Sequence, residues 1–81
     1  MSIEIFNRDT NLLIILSSEL INNLLSVEPY GISSVKITAK TKDAAKEVGD
    51  ICKAVGFEVL ASLFEFGAYV TVRDVEYKIN F

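Results

Sequence analysis

Polar and apolar positions alternate through Ser2-Ile3-Glu4-Ile5, with Ile3 and Ile5 on one side, which is the period of a half-buried strand. Asn7, Arg8 and Asp9 follow as a turn. The spacing then changes: Leu12, Leu13, Leu16, Leu20 and Leu24 recur at helical intervals with Ile21 and Leu25 alongside, and Asp9 or Thr10 stands where a helix cap belongs. This predicts a long helix with a wide apolar face. Glu28-Pro29-Tyr30-Gly31 ends it, because Pro29 disfavours helical geometry in the residue before it and Gly31 permits a tight turn.

Period two returns in SSVKITAK, where Val35, Ile37 and Ala39 share one face and Lys36, Thr38 and Lys40 the other. Thr41 is a natural N-cap for a second helix from about Lys42 to Val55, with Asp43 in its first turn and Gly56 just past its end. Ala45, Val48, Cys52 and Val55 form its apolar stripe, and Lys42, Lys46 and Lys53 lie along another. FEVLASLFEF, then Gly67-Ala68, then YVTVRDVEYKINF predict a hairpin of two long strands. The predicted order is β-α-β-α-β-β. It implies an α/β chain built as an α+β two-layer sandwich, with a four-stranded mixed sheet and two helices on one face.

At 81 residues the chain has room for a single domain, residues 1–81. Its hydrophobic content is 51% and its mean hydropathy +0.37, more apolar surface than a small monomer hides easily, so a partner chain is expected. The greasiest stretch is the predicted hairpin, where both strand faces call for burial. Leu60, Phe64, Phe66, Val70 and Val72 are the candidate dimer interface. The apolar run Leu12 to Leu16 is far shorter than the roughly 18 to 20 residues that cross a bilayer, and MSIEIFNRD does not read as a secretion signal. A cytoplasmic protein without a membrane partner is the expectation.

Zero histidines and one cysteine leave no ordinary zinc site and no histidine-based acid, base or nucleophile arrangement. The four glycines, at 31, 49, 56 and 67, form no phosphate-binding loop. No catalytic residue, metal ligand or cofactor is assigned, and the chain does not read as an enzyme. Cys52, within the apolar helical stripe, is read as a small buried hydrophobe.

The stretch VKITAKTKDAAKEVGDICKAV resembles the most characteristic segment of the Alba family, small archaeal chromatin proteins: an apolar strand, a basic turn (here Lys40-Thr41-Lys42), then an Ala-rich helix in which Lys46-Glu47-Val48 takes the place of Lys-Ala-Val. FEVLASLFEFGAY and TVRDVEYKINF are similar to the family's last two strands, and SIEIFNRD to its first strand and turn. The resemblance implies the same β-α-β-α-β-β order and a dimer that binds DNA or RNA through the first turn, the basic turn and the hairpin arms. The chain departs from the family in its first turn, Phe6-Asn7-Arg8-Asp9, in Thr41 where the family has Gly, and in a sequence pI near 4.8. A weaker resemblance, to TusA-like sulfur carriers, rests on DICKAVGFEVLAS. It lacks their reactive cysteine, because Arg8-Asp9-Thr10-Asn11 occupies that place.

The segment Lys36 to Lys46 holds half of the chain's eight basic residues and only one of its eleven acids, within a net charge of −3. Such segregation lets a local patch meet phosphates even when the whole chain is acidic. Arg8, Lys40, Lys42 and Lys46 are the candidate nucleic-acid-binding residues, for DNA or RNA without sequence preference. The partner chain is a second copy or a more basic homologue. A protein-interaction module that has lost nucleic-acid binding, or a degenerate sulfur-carrier relative, is the alternative.

Overall fold

The computed structural model describes residues 1–63 and 68–81. Seven strands and two helices follow in the order β1 (Ser2–Asn7), β2 (Leu12–Leu16), α1 (Ser18–Ile21), β3 (Leu24–Pro29), β4 (Ser34–Ala39), α2 (Lys42–Val55), β5 (Glu58–Ser62), β6 (Ala68–Arg73) and β7 (Glu76–Asn80). They build an α+β fold with two antiparallel sheets, one of three strands in the order β2-β1-β7 and one of four in the order β3-β4-β6-β5.

The predicted long helix over residues 12–25 is replaced by β2, a single helical turn and β3. Asn7 Oδ1 accepts from the amides of Asp9 (2.8 Å) and Thr10 (3.0 Å), and Asn11 takes a left-handed φ of 59°. The turn therefore closes a hairpin instead of opening a helix, and Leu12–Leu16 pairs antiparallel with β1, Ile5 opposite Ile14. Ile14 and Leu16 point into the core while Leu13 and Ile15 face outward, an alternation that the unbroken apolar run conceals. Ser17 then caps α1, its Oγ accepting from the Leu20 amide at 3.3 Å. The Lys40 amide donates to the Asn23 carbonyl at 2.8 Å where the chain enters β3.

The second half follows the pattern more closely. Thr41 Oγ1 accepts from the Ala44 amide at 3.1 Å, and Gly56, at φ +116°, ends α2, with the Phe57 amide donating to the Cys52 carbonyl at 3.0 Å. Thr41→Ala is expected to cost about 1 kcal/mol, read as a lower urea midpoint at unchanged m-value. β4 and β5 both run antiparallel to β6, which lies between them, so β4-α2-β5 is a split β-α-β unit. All pairings among the described residues are antiparallel, in place of the predicted mixed sheet.

The predicted last strand is divided. Asp74 adopts φ +58°, its carbonyl accepts from Asn7 Nδ2 at 2.7 Å, and Val75 turns inward with its amide on the Ser33 carbonyl. β6 thus stays in the four-stranded sheet while β7 crosses to pair with β1. One core joins both sheets to α2: Ile5, Leu16, Val35, Ile37, Val48, Cys52, Val70 and Val72 are its largest fully buried side chains. α2 packs chiefly on β5 and β6 and also touches β2 and β4. Among the described residues, no helix is long and apolar enough to cross a membrane.

Candidate nucleic-acid interface

Because α2 covers one face of the four-stranded sheet, the side chains that alternate away from it form a second, open face. Ser34, Lys36 and Thr38 of β4 lie there beside Tyr69, Thr71 and Arg73 of β6, and Glu58, Leu60 and Ser62 of β5 complete it. Lys36 Nζ stands 4.4 Å from the centroid of the Tyr69 ring, a cation held over an aromatic face. Tyr30 and Ile32 of the β3–β4 turn rise at one end of this face, and with Tyr69, Leu60 and Thr71 they line an open groove.

At the other end of β4 the chain turns through Lys40 and Thr41 into α2. Lys40, Lys42 and Lys46 are all exposed, the last two one helical turn apart. Thr41 takes up the Ala44 amide, so among the described residues the amides of Lys42 and Asp43 have no acceptor at the positive end of the helix. Asp43 shares that end and opposes an incoming anion. Among the described residues none of Lys40, Lys42 and Lys46 is in an ion pair. Both arginines are: Arg8 Nε meets Glu76 Oε2 at 2.7 Å and Arg73 meets Glu58 at 3.8 Å.

Arg8 does not join the lysines. It sits in the β1–β2 turn, beside Asn7, which bonds to Asp74 at the Arg73 end of β6, and Arg73 is opposite Ser34 at the start of β4. Lys40 follows the other end of the same strand, about 20 Å away at roughly 3.3 Å per residue. The structure thus brings Lys40, Lys42 and Lys46 to one corner and leaves Arg8 at the opposite one, neutralised by Glu76. Lys36 and Tyr69 were missed as a pair. Strand alternation places each on a face, but the register that sets them side by side, with Thr38 opposite Tyr69 and Lys36 opposite Thr71, is a tertiary property.

The residues expected at the dimer interface are dispersed as well. Val70 and Val72 are fully buried under α2, with Val70 against Gly49, so they have no surface left for a second chain. Leu60 is exposed on the open face, whereas Phe64 and Phe66 lie outside the described residues.

Cys52 is fully buried in α2, and desolvation pushes its thiol from 9.0 up to about 12. The folded chain therefore holds this proton more tightly than the unfolded one. The resulting stability is present below the unfolded value near pH 9 and lost as pH rises toward 12, by about 1.4 kcal/mol per pH unit. Cys52→Ala is expected to show a shallower decline over that window in urea titrations. In the native chain the thiol should resist alkylation at pH 8.

Compared with known protein families, with curated proteins and with solved structures, the chain matches none.

Proposed function

We propose that this chain binds nucleic acid without sequence preference, along a track that runs from Lys36 and Tyr69 on the open sheet face over the Lys40-Thr41-Lys42 corner to Lys46. The observation that carries it is the difference between the two sets of cations: both arginines are ion-paired, while the lysines of the corner carry no carboxylate partner among the described residues. Unneutralised lysines release counterions when they meet phosphates, and this supplies most non-specific affinity. Lys36, held over the Tyr69 ring, extends the line of cations from the corner onto the open sheet face.

The Alba resemblance supports the same assignment over residues 34–73, where β4, α2, β5 and β6 keep the strand-helix-hairpin order on which it rests. A dimer would double the patch and offset the acidic remainder of the chain. The alternative, an interaction module without nucleic-acid affinity, is favoured by the exposed apolar Leu13 and Ile15 on β2.

Fluorescence anisotropy of labelled duplex DNA and of single- and double-stranded RNA, at about 50 and 200 mM salt, separates the two. Saturable binding that weakens steeply with salt is expected. No binding at about 100 μM protein, the weak end of non-specific affinity, would overturn the proposal.

A further inference from the structure

The four sheet edges are not alike. β3 carries a register break between Leu24 and Ser26, Glu28 within it and Pro29 at its end; β7 carries Glu76 and Lys78; β5 carries Glu58. Charges, prolines and bulges are the ordinary means by which an edge strand is kept from pairing with another chain. β2 has none of them. Its five residues, LLIIL, are uncharged and regular, and among the described residues its only strand partner is β1.

Its side chains invite cover on both sides. Leu13 is 48% exposed and Ile15 59% exposed on the outer face, next to half-buried Phe6. On the inner side, half-buried Ile51 and Val55 of α2 pack against the core with Leu12. A five-residue strand pair alone buries less than the roughly 800 Å² per partner of a standard interface. These flanking groups extend the apolar contact above and below the junction.

We infer that β2 pairs antiparallel with β2 of a second copy, about a two-fold axis at Ile14, and joins two three-stranded sheets into one of six strands. The sequence of β2 is self-complementary under that operation: Leu12 meets Leu16 and Leu13 meets Ile15, apolar against apolar throughout. Charge selects the direction. Glu19 and Glu47 line a groove with Ile15 and Ser17 at the Leu16 end. A parallel pairing would bring these acids onto those of the other copy. The antiparallel pairing separates them by the strand length and so removes that repulsion. The same patch is used by both copies, so the assembly closes at two.

Sedimentation equilibrium of the native chain should give twice its 9.0 kDa mass. Leu13→Lys with Ile15→Lys, both outward-facing, should give a monomer with unchanged far-UV circular dichroism and at least a tenfold loss of association. Leu60→Lys, on the other sheet, should remain a dimer. Leu13→Cys with Ile15→Cys in a Cys52→Ala background provides a readout that does not depend on added charge: mild oxidation should yield a disulfide-linked dimer on a non-reducing gel. A native monomer at all concentrations, a larger species, a dimer broken by Leu60→Lys, or the absence of a crosslink would each overturn the inference.

Discussion

Replacing Lys40 and Lys42 together by glutamate is expected to abolish most of the nucleic-acid affinity, by about tenfold to a hundredfold near 100 mM salt, since two phosphate contacts are lost and two repulsive charges are gained. The salt slope should fall by about two, one for each contact removed. Neither side chain is buried, so the fold should persist with an unchanged thermal midpoint. Arg8→Glu is the informative counterpart. Arg8 lies at the far end of β4 and is held by Glu76, so its replacement should leave affinity within about twofold after allowance for net charge. A chain that binds through charge in general, and not through this corner, would respond to both changes alike.

Ile37→Ala should produce the largest loss of stability. Ile37 is fully buried at the middle of β4, opposite Val27 on one side and Val70 on the other. Its truncation removes apolar contacts and leaves a cavity between the two sheets and α2, at a cost of about 2–5 kcal/mol. That is a large share of the roughly 5–15 kcal/mol that holds a domain folded, and a chain this small has little room to spare. Urea unfolding would show the midpoint falling sharply. A loss under 1 kcal/mol would mean that the core is not closed around β4 as described.

The contrast between the two halves of the chain explains how much was legible. Residues 34–62 carry signals that agree with one another: Val35, Ile37 and Ala39 alternate, Thr41 caps, Gly56 terminates, and the structure follows them. Residues 12–25 carry signals that conflict. Leu12, Leu16, Leu20 and Leu24 fit a helical face, yet Leu12–Leu16 is also a short apolar run with two β-branched isoleucines, and periodicity alone cannot rank the two. The decision belongs to β1, which needs a neighbour, and to Asn7, whose side chain folds the turn back on itself. The break at Asp74 was hidden for a related reason. The apolar phase does shift there, from Val70 and Val72 to Val75 and Tyr77, but no Gly or Pro marks a turn, and the bonds from Asn7 and to Ser33 divide the segment between two sheets.

The placement of the candidate residues was legible in part for the same physical reasons. Clustering of lysines between Lys36 and Lys46 is a one-dimensional property and survives folding. Whether each lysine meets a carboxylate, and how far Arg8 lies from them, depends on register and topology. Among the described residues the corner lysines have no carboxylate partner, whereas the arginines turn onto Glu76 and Glu58.

The measurement that tests this most directly is a titration of the ¹⁵N-labelled chain with a single-stranded oligonucleotide, followed by amide NMR shifts. Saturable shifts centred on Lys36 and on Lys40 to Lys46, extending to Tyr69 and absent from the Arg8 turn, are predicted. Shifts centred on Arg8 to Asn11, or none anywhere, would contradict the assignment of that corner to nucleic acid.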